Sequence, residues 1–396
     1  MSGTPAAGRP VVAHVDHTTE NGGAELALAR MLRSGCRSWA PVLVVPAGLP
    51  KGVFTAVEDA GVAVRPLGPP QPSGATKASL LRALPFVWRT MQQALSLRRS
   101  GALAHADVVH ANSTLAAVYA ALAVLGSRVP LVVHLRDRIE RDALGRLGYL
   151  AFRLTALRRA TGFIANSEAT AATVRPRLSP RQFVEVIPSP IGMDGSERAA
   201  PQRSTAPADA PTPVRLGMVA RLDSWKGHED VIRAYALAGI DSRARLTFVG
   251  GSARAGENME LRLATLAQEL GLRHVTFVGH RDDVREQIDT FDVCVQFSRR
   301  PEPMGQNVLQ YLARGKPVIA VAAGGPLEWI VDGENGVLVP LNDIEKLAEA
   351  MTRLVDDSSL RARLGAAARA VRVLDDCTIV RRHAAVFDRV VTARAS

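Results

Sequence analysis

Short apolar runs alternate along the chain with longer stretches whose apolar residues recur at helical spacing. In the first half the runs predict strands at Pro10–Val15, Pro41–Val45, Gly61–Pro66, Val108–His110, Leu131–Leu135, Gly162–Asn166 and Phe183–Pro188. Helical segments lie between most of them. The stretch 193–213 breaks the rhythm, being rich in Ala, Pro and Ser and poor in large apolar residues. A second alternation then begins, with strands at Val214–Val219, Arg245–Val249, Val275–Val278, Val293–Phe297, Pro317–Val321 and Gly336–Val339. Strand–helix alternation of this kind reads as α/β with parallel sheets. The expected organisation is an N-terminal Rossmann-like domain over 1–192, a linker over 193–213 and a second Rossmann-like domain over 214–374. A helical tail over 375–396 packs back on the first domain.

The apolar stretch Leu115–Leu125 is too short to span a bilayer. It follows Asn112-Ser113-Thr114, which are fit for a helix N-cap, and reads as a buried helix. The segment Lys77–Arg99 mixes Leu84, Val87, Trp88, Met91 and Leu95 with basic residues. It suits either a basic amphipathic helix on an anionic membrane or an ordinary helix packed on the sheet. Pro85 argues against one continuous helix there.

Composition adds three points. The net charge is +11, which fits an Arg-rich composition or an anionic partner such as a nucleotide diphosphate, an acidic acceptor or anionic lipid. No nucleic-acid-binding signature accompanies it. Cys36, Cys294 and Cys377 are far apart, which argues against a disulfide framework and against zinc and favours a reducing cytoplasm. Cys294, inside Val293-Cys294-Val295, reads as a core residue. No targeting segment is visible, so the expectation is a soluble cytoplasmic protein that at most lies on the inner face of a membrane.

The candidate chemistry lies just beyond strand ends, where open α/β sheets bind ligands. After Val219 come Arg221 and Lys226-Gly227 and then a helix start. Two cations and a helix N-terminus suit a diphosphate and its developing charge. After Phe297 comes Glu302-Pro303-Met304-Gly305-Gln306-Asn307, with Gln310 inside the following helix. Glu302 could accept hydrogen bonds from sugar hydroxyls or simply cap the helix. Gln310 could reach a ribose or be an ordinary helix residue. Ala323-Gly324-Gly325-Pro326 and Asn21-Gly22-Gly23-Ala24-Glu25 are glycine turns that let backbone approach a ligand. His110, Asn112, His134, Arg136 and Asp137 are polar residues at strand ends of the first half. There is no G-x-G-x-x-G fingerprint, Walker A loop, G-x-S-x-G elbow or H-E-x-x-H, and no Asp-x-Asp, so neither a cofactor nor a metal is expected.

Taken in order, these motifs resemble the retaining family 4 glycosyltransferases of the GT-B fold. The resemblance rests on Val219-Ala220-Arg221-Leu222 with Lys226-Gly227, Phe277-Val278-Gly279, and Glu302-Pro303-Met304-Gly305. It continues through Gly315-Lys316-Pro317, Gly324-Gly325, Glu328 and Asp332-Gly333-Glu334-Asn335-Gly336. It implies two Rossmann-like domains with parallel sheets facing each other across a cleft. It also implies transfer of a sugar, with retention, from a nucleotide-diphosphate sugar to an acceptor hydroxyl. By the same resemblance Arg221 and Lys226 hold the diphosphate, Glu302 and His134 face the donor sugar, and Gly22 and Gly23 lie near the phosphates. Gly279, His280 and Arg281 border the base, and Met304, Gly305, Gln306, Asn307 and Gln310 complete the donor site. One departure stands out: Gln310 occupies the place of a Glu that contacts ribose, and a Gln has fewer acceptor sites and no charge. No enzymic nucleophile is evident, so same-face attack is favoured, with the leaving phosphate helping to take the acceptor's proton. The acceptor is a polysaccharide, a glycolipid or a small natural product. The rival readings are a nucleotide-sugar epimerase of the same fold, a non-catalytic nucleotide-sugar-binding protein and a membrane-surface binding protein.

Overall fold

A computed structural model describes residues 9–70, 80–193, 212–252 and 258–395, with backbone alone for 80–83 and 395. Most of the expected linker, and Lys77 of the basic segment, lie outside the described residues. The chain divides into two units. The first comprises Met1–Gly192 and Leu374–Ser396, the second Met193–Val373.

The first unit holds a seven-stranded sheet of β1 (Val11–Val15), β2 (Ala40–Val45), β3 (Ala63–Pro66), β4 (Val108–Ala111), β5 (Leu131–Leu135), β6 (Gly162–Ala165) and β7 (Phe183–Val186). All pairings are parallel, in the order β3-β2-β1-β4-β5-β6-β7. The second unit repeats the plan with six strands: β8 (Val214–Val219), β9 (Ala244–Val249), β10 (Val275–Phe277), β11 (Val293–Gln296), β12 (Val318–Val321) and β13 (Val337–Val339). Their order is β10-β9-β8-β11-β12-β13, again parallel throughout. In each sheet the winding reverses between the first strand and the fourth. Neighbouring connections leave that point in opposite directions and open a crevice at the carboxyl ends, which is where such sheets bind ligands. The crevices fall at β1/β4 and at β8/β11.

Both faces of each sheet are covered, so the strands are continuously apolar rather than alternating. In the first unit the sheet separates two cores. One holds Val133, Leu135, Tyr119, Phe152 and the buried helix Thr114–Ala123, whose cap is Ser113. The other holds Val132, Trp39, Phe54 and residues Ile379, Val380 and Phe387 of the helix Asp376–Ala395. The C-terminal helix is therefore a structural part of the first unit's core.

Two expectations need correction. Cys36 and Cys377 form a disulfide, with Cα atoms 5.5 Å apart across 341 residues of sequence. Sequence spacing gave no hint of it, because the contact exists only once the C-terminal helix has folded back beside the helix Gly23–Arg33. The cysteine argument for a reducing compartment falls with it. Cys294 is fully buried, as its apolar neighbours implied. The second correction concerns Pro85, which sits inside one continuous helix, Leu80–Arg98. Its missing amide N–H costs the helix one backbone hydrogen bond, and the neighbouring turns carry the helix through it.

That helix buries Thr90, Gln93, Ala94 and Leu97, yet leaves Leu84, Val87, Trp88, Met91 and Leu95 exposed. The helix Arg141–Leu154 buries Tyr149 and Phe152 in the same core and exposes Leu147, Leu150 and Leu154. Both pack against Thr114–Ala123. Among the described residues, no helix is long and apolar enough to cross a membrane.

Candidate active site

At the β8/β11 switch point the chain leaves β8 through Arg221 and Asp223, makes a short turn over Ser224–Lys226 and enters the helix His228–Leu237 at Gly227. Gly227 has φ of 78°, and a Cβ there would lie 1.8 Å from the Phe297 carbonyl oxygen. Only glycine lets this turn come so close to the end of β11. The approach sets Lys226 Nζ 2.6 Å from Oε1 of Glu302, with both side chains largely buried. Oε2 of Glu302 accepts from Ser298 Oγ at 2.5 Å and lies 3.5 Å from Gln296 Nε2.

The Glu302 loop is held from below by the glycine turn after β12. Gly324 has φ of +73°, and a Cβ there would lie 2.1 Å from the Glu302 carbonyl oxygen. Gly325 N donates to that same oxygen at 2.8 Å. Trp329 Nε1 donates to the carbonyl of Met304 at 2.8 Å, fixing the next stretch. Gly305 then caps the helix Gln306–Ala313, which is tied to β8 where Asn307 Nδ2 donates to Val219 O and Val219 N donates to Tyr311 Oη. Gln310 is buried on the same helix.

Cations dominate the mouth of this crevice. Arg221 is exposed, with Asp223 at 4.0 Å. Arg299 is neutralised by Glu229 and Asp230, which push its pKa up through hydrogen bonds. Arg300 and Lys226 both lie over the Trp225 ring, at 4.3 and 4.0 Å from its centroid. Gly279, His280 and Arg281 follow β10 at the sheet's outer edge. There Arg281 pairs with Asp283 and His280 lies 3.4 Å from Asp282.

At β1/β4 the first unit carries a different set. Gly22 caps the helix Gly23–Arg33. Asn112 Nδ2 donates to Ala24 O at 3.3 Å and to Oδ2 of buried Asp16 at 2.6 Å. Arg136 donates to Asn112 Oδ1 at 2.7 and 3.2 Å and to Ser189 Oγ at 2.5 Å. Asp16 Oδ1 lies 3.2 Å from His17 Nδ1, which is also 2.8 Å from Ser113 Oγ. Burial beside Asp16 lifts the pKa of Glu25 to about 7. Asp16, His17 and Glu25 bring ligand atoms within 4.8 Å of one another, the one such grouping among the described residues. The Asp16 carboxylate is already committed to Asn112 and His17, so the grouping reads as a hydrogen-bonded dyad beside a buried acid.

Sequence reading missed Asp16 and His17, and took Glu25 only as the end of a glycine turn. The available signal was an Asp-His pair directly after the first apolar run. His134, by contrast, was expected to face the donor sugar and lies elsewhere. Leu131, Val133 and Leu135 fill one core, so strand alternation turns His134 onto the opposite face, under the C-terminal helix. Its ring packs against His110 and His383 at 5.5 and 5.3 Å, and neither nitrogen has a hydrogen-bond partner. Burial holds its pKa well below the usual value.

Comparison with known proteins agrees with this geometry. The family model described as glycosyl transferases group 1 matches residues 204–371, and that described as glycosyl transferase 4-like domain matches 22–190. D-inositol 3-phosphate glycosyltransferase of Nocardioides sp. is 30% identical over 335 residues, covering 78% of this chain and 72% of that protein. The chain belongs to the family 4 glycosyltransferases. The lipopolysaccharide core biosynthesis glycosyltransferase LpsE of Rhizobium meliloti is 33% identical to this glycosyltransferase over 223 residues. The match covers 56% of this chain and 62% of LpsE, less than two thirds of that relative's length. Anabaena HepE, solved in complex with UDP-glucose, has a TM-score of 0.77 at 25% identity, covering 96% of this glycosyltransferase and 99% of HepE. The fold is GT-B, with its two Rossmann-like domains.

Proposed function

We propose that this glycosyltransferase moves a sugar, with retention of anomeric configuration, from a uridine-diphosphate sugar to a hydroxyl of a lipid-linked saccharide. The observation that carries the donor reading is the Lys226–Glu302 pair at 2.6 Å in the β8/β11 crevice, with exposed Arg221 earlier on the same connection after β8. A diphosphate would take up the cations as its glycosidic bond breaks, and Glu302 would be released to the sugar hydroxyls. HepE binds UDP-glucose on the same fold, which supports uridine as the base. No metal enters this reading, since Arg221, Lys226 and the Gln306 helix N-terminus supply the positive charge. The test is a melting-temperature panel of nucleoside diphosphates and their sugars. UDP should raise the melting temperature of the wild type by mass action and leave Lys226→Ala almost unmoved. No shift with any diphosphate would remove the reading. Proton NMR of the product's anomeric centre decides retention.

The lipid-linked acceptor is supported by the exposed apolar faces of Leu80–Arg98 and Arg141–Leu154. Leu84, Val87, Trp88, Met91 and Leu95 follow one helical stripe, and Trp88 is 65% exposed. Arg89, Arg98, Arg146 and Arg153 are exposed on the same helices, and the first helix contains no acidic residue. Apolar area with cationic flanks is what an anionic bilayer surface binds. Vesicles containing anionic lipid should sediment the protein at low salt, and Trp88→Ser with Leu84→Ser should release it. Equal binding to neutral vesicles would count against the charge component.

A further inference from the structure

The loop after β11 brings a cation to the β8/β11 crevice that the donor reading leaves unused. Lys226 is offset by Glu302, and Arg299 by Glu229 and Asp230. Arg300, the next residue, is half-buried, yet among the described residues no carboxylate pairs with it. Its guanidinium lies 4.3 Å from the centre of the Trp225 ring, and Lys226 Nζ lies 4.0 Å from the same centre. Two like charges on one ring repel, and the single carboxylate of Glu302 answers one of them. A partly desolvated cation without a counter-charge is costly until an anion completes the site.

The ring that carries both cations is fixed through its backbone. Trp225 N donates to Asp223 Oδ1 at 3.3 Å, and the Trp225 carbonyl accepts from Arg299 N at 2.8 Å. The second bond ties the turn after β8 to the residue just before Arg300. Gly227, pressed against the Phe297 carbonyl, closes the same seam. A guanidinium attracted to an aromatic face spends no N–H on a carboxylate, and its planar fork can take two phosphate oxygens at once. Arg221 is less prepared, with 43% of its side chain exposed and Asp223 at 4.0 Å.

We propose that Arg300 is a ligand of the donor's β-phosphate, the one bonded to the sugar, and that Trp225 is the positioning residue that holds Arg300 beside Lys226. The choice of phosphate follows from the loop. Arg300 stands two residues before Glu302, which the donor reading gives to the sugar hydroxyls, so its nearest phosphate is the one next to the sugar. The proposal rests on that reading and lies wholly within the second unit. It makes the site count phosphates: with Lys226 and Arg300 together, the second phosphate adds more affinity than the first.

Calorimetric titration of the full chain with UDP and with UMP tests it. Wild type should prefer UDP strongly. Arg300→Ala should weaken UDP roughly 30-fold and UMP less than about 3-fold, with the melting temperature of the unliganded protein held. Arg300→Lys, which keeps the charge but not the fork, should recover part of the loss. Trp225→Leu should weaken UDP about 5-fold, and Trp225→Phe, which keeps an aromatic face, about 2-fold. A ring needed only for folding would lower the melting temperature and reduce UDP and UMP alike, and that result overturns the positioning role. An Arg300→Ala protein that binds UDP as wild type does, while Lys226→Ala does not, overturns the phosphate assignment and leaves the donor reading standing. Equal losses of UDP and UMP in Arg300→Ala overturn it as well. Wild type that binds neither nucleotide brings down the donor reading, and this proposal with it.

Discussion

The two units share one winding plan and place their chemistry at the same topological point, yet they fill it with opposite materials. The second unit puts Arg221, Lys226 and Arg300 at the crevice mouth and one carboxylate, Glu302, against Lys226. The first puts Asp16, His17 and Glu25 there, bound into a hydrogen-bonded chain through Asn112 to Arg136. One crevice gathers cations; the other gathers carboxylates around a histidine ring. The difference shows that strand order fixes where a site forms, while the few residues after each strand fix what it does.

The same contrast runs through the cores, and acid should expose it most strongly. Four fully buried histidines lie in the first unit. Burial drives His14 down to about 3 and His383 to about 4, with His110 and His134 also well below the ordinary value. The second unit has one comparable residue, His228, lowered to about 4. A histidine held neutral in the fold takes its proton only on unfolding. The stability it confers is intact above pH 6.5 and is lost as pH falls toward 4, by up to about 1.4 kcal/mol per pH unit for each group. Glu25, protonated in the fold up to about 7, opposes this with one such increment between pH 7 and 4.5. Hydrogen exchange resolved by peptide, at pH 7.5 and 5, should show the first unit opening well before the second. Equal loss in both would break the contrast.

Lys226→Ala probes the other side. Losing one cation from a developing diphosphate charge should cost about 3 kcal/mol of transition-state stabilisation, ~100-fold in turnover. Protection of the first unit should stay as it was. Unchanged turnover with saturating UDP-glucose would take the diphosphate role from the second unit. A smaller effect is expected from Cys36→Ser with Cys377→Ser, about 2 kcal/mol, the lower end of what loss of a native disulfide costs. It should appear in peptides of the first unit and the C-terminal helix, and leave Val214–Val219 untouched.

Sequence reading recovered both sheets because each strand is a nearly unbroken apolar run between turn signals. It also brought Lys226 and Glu302 into one candidate site, though they are 76 positions apart, because each follows a strand end. It missed what depends on the far end of the chain. The Cys36–Cys377 bond and the packing of His383 against His134 arise from one helix returning to the first sheet, and no local pattern encodes that. His134 was misplaced for a related reason. A strand buried on both faces gives no alternation to say which way a residue points. Asp16 and His17 passed unnoticed because a two-residue pair is too short to carry a signal until the fold brings Ser113 and Asn112 beside it.

The return of residues 374–395 to the first unit also bears on how the chain is made. The second unit is one uninterrupted stretch, Met193–Val373, and its core is complete once that stretch has left the ribosome. The first unit begins earlier and finishes last, because Ile379, Val380 and Phe387 are translated after everything else it needs. At ordinary elongation rates, about 5–20 residues per second, the wait is on the order of 10–40 s. During that interval the sheet face destined for the C-terminal helix, with His14, His110 and His134 on it, stays uncovered, and Cys36 stays an unpaired thiol.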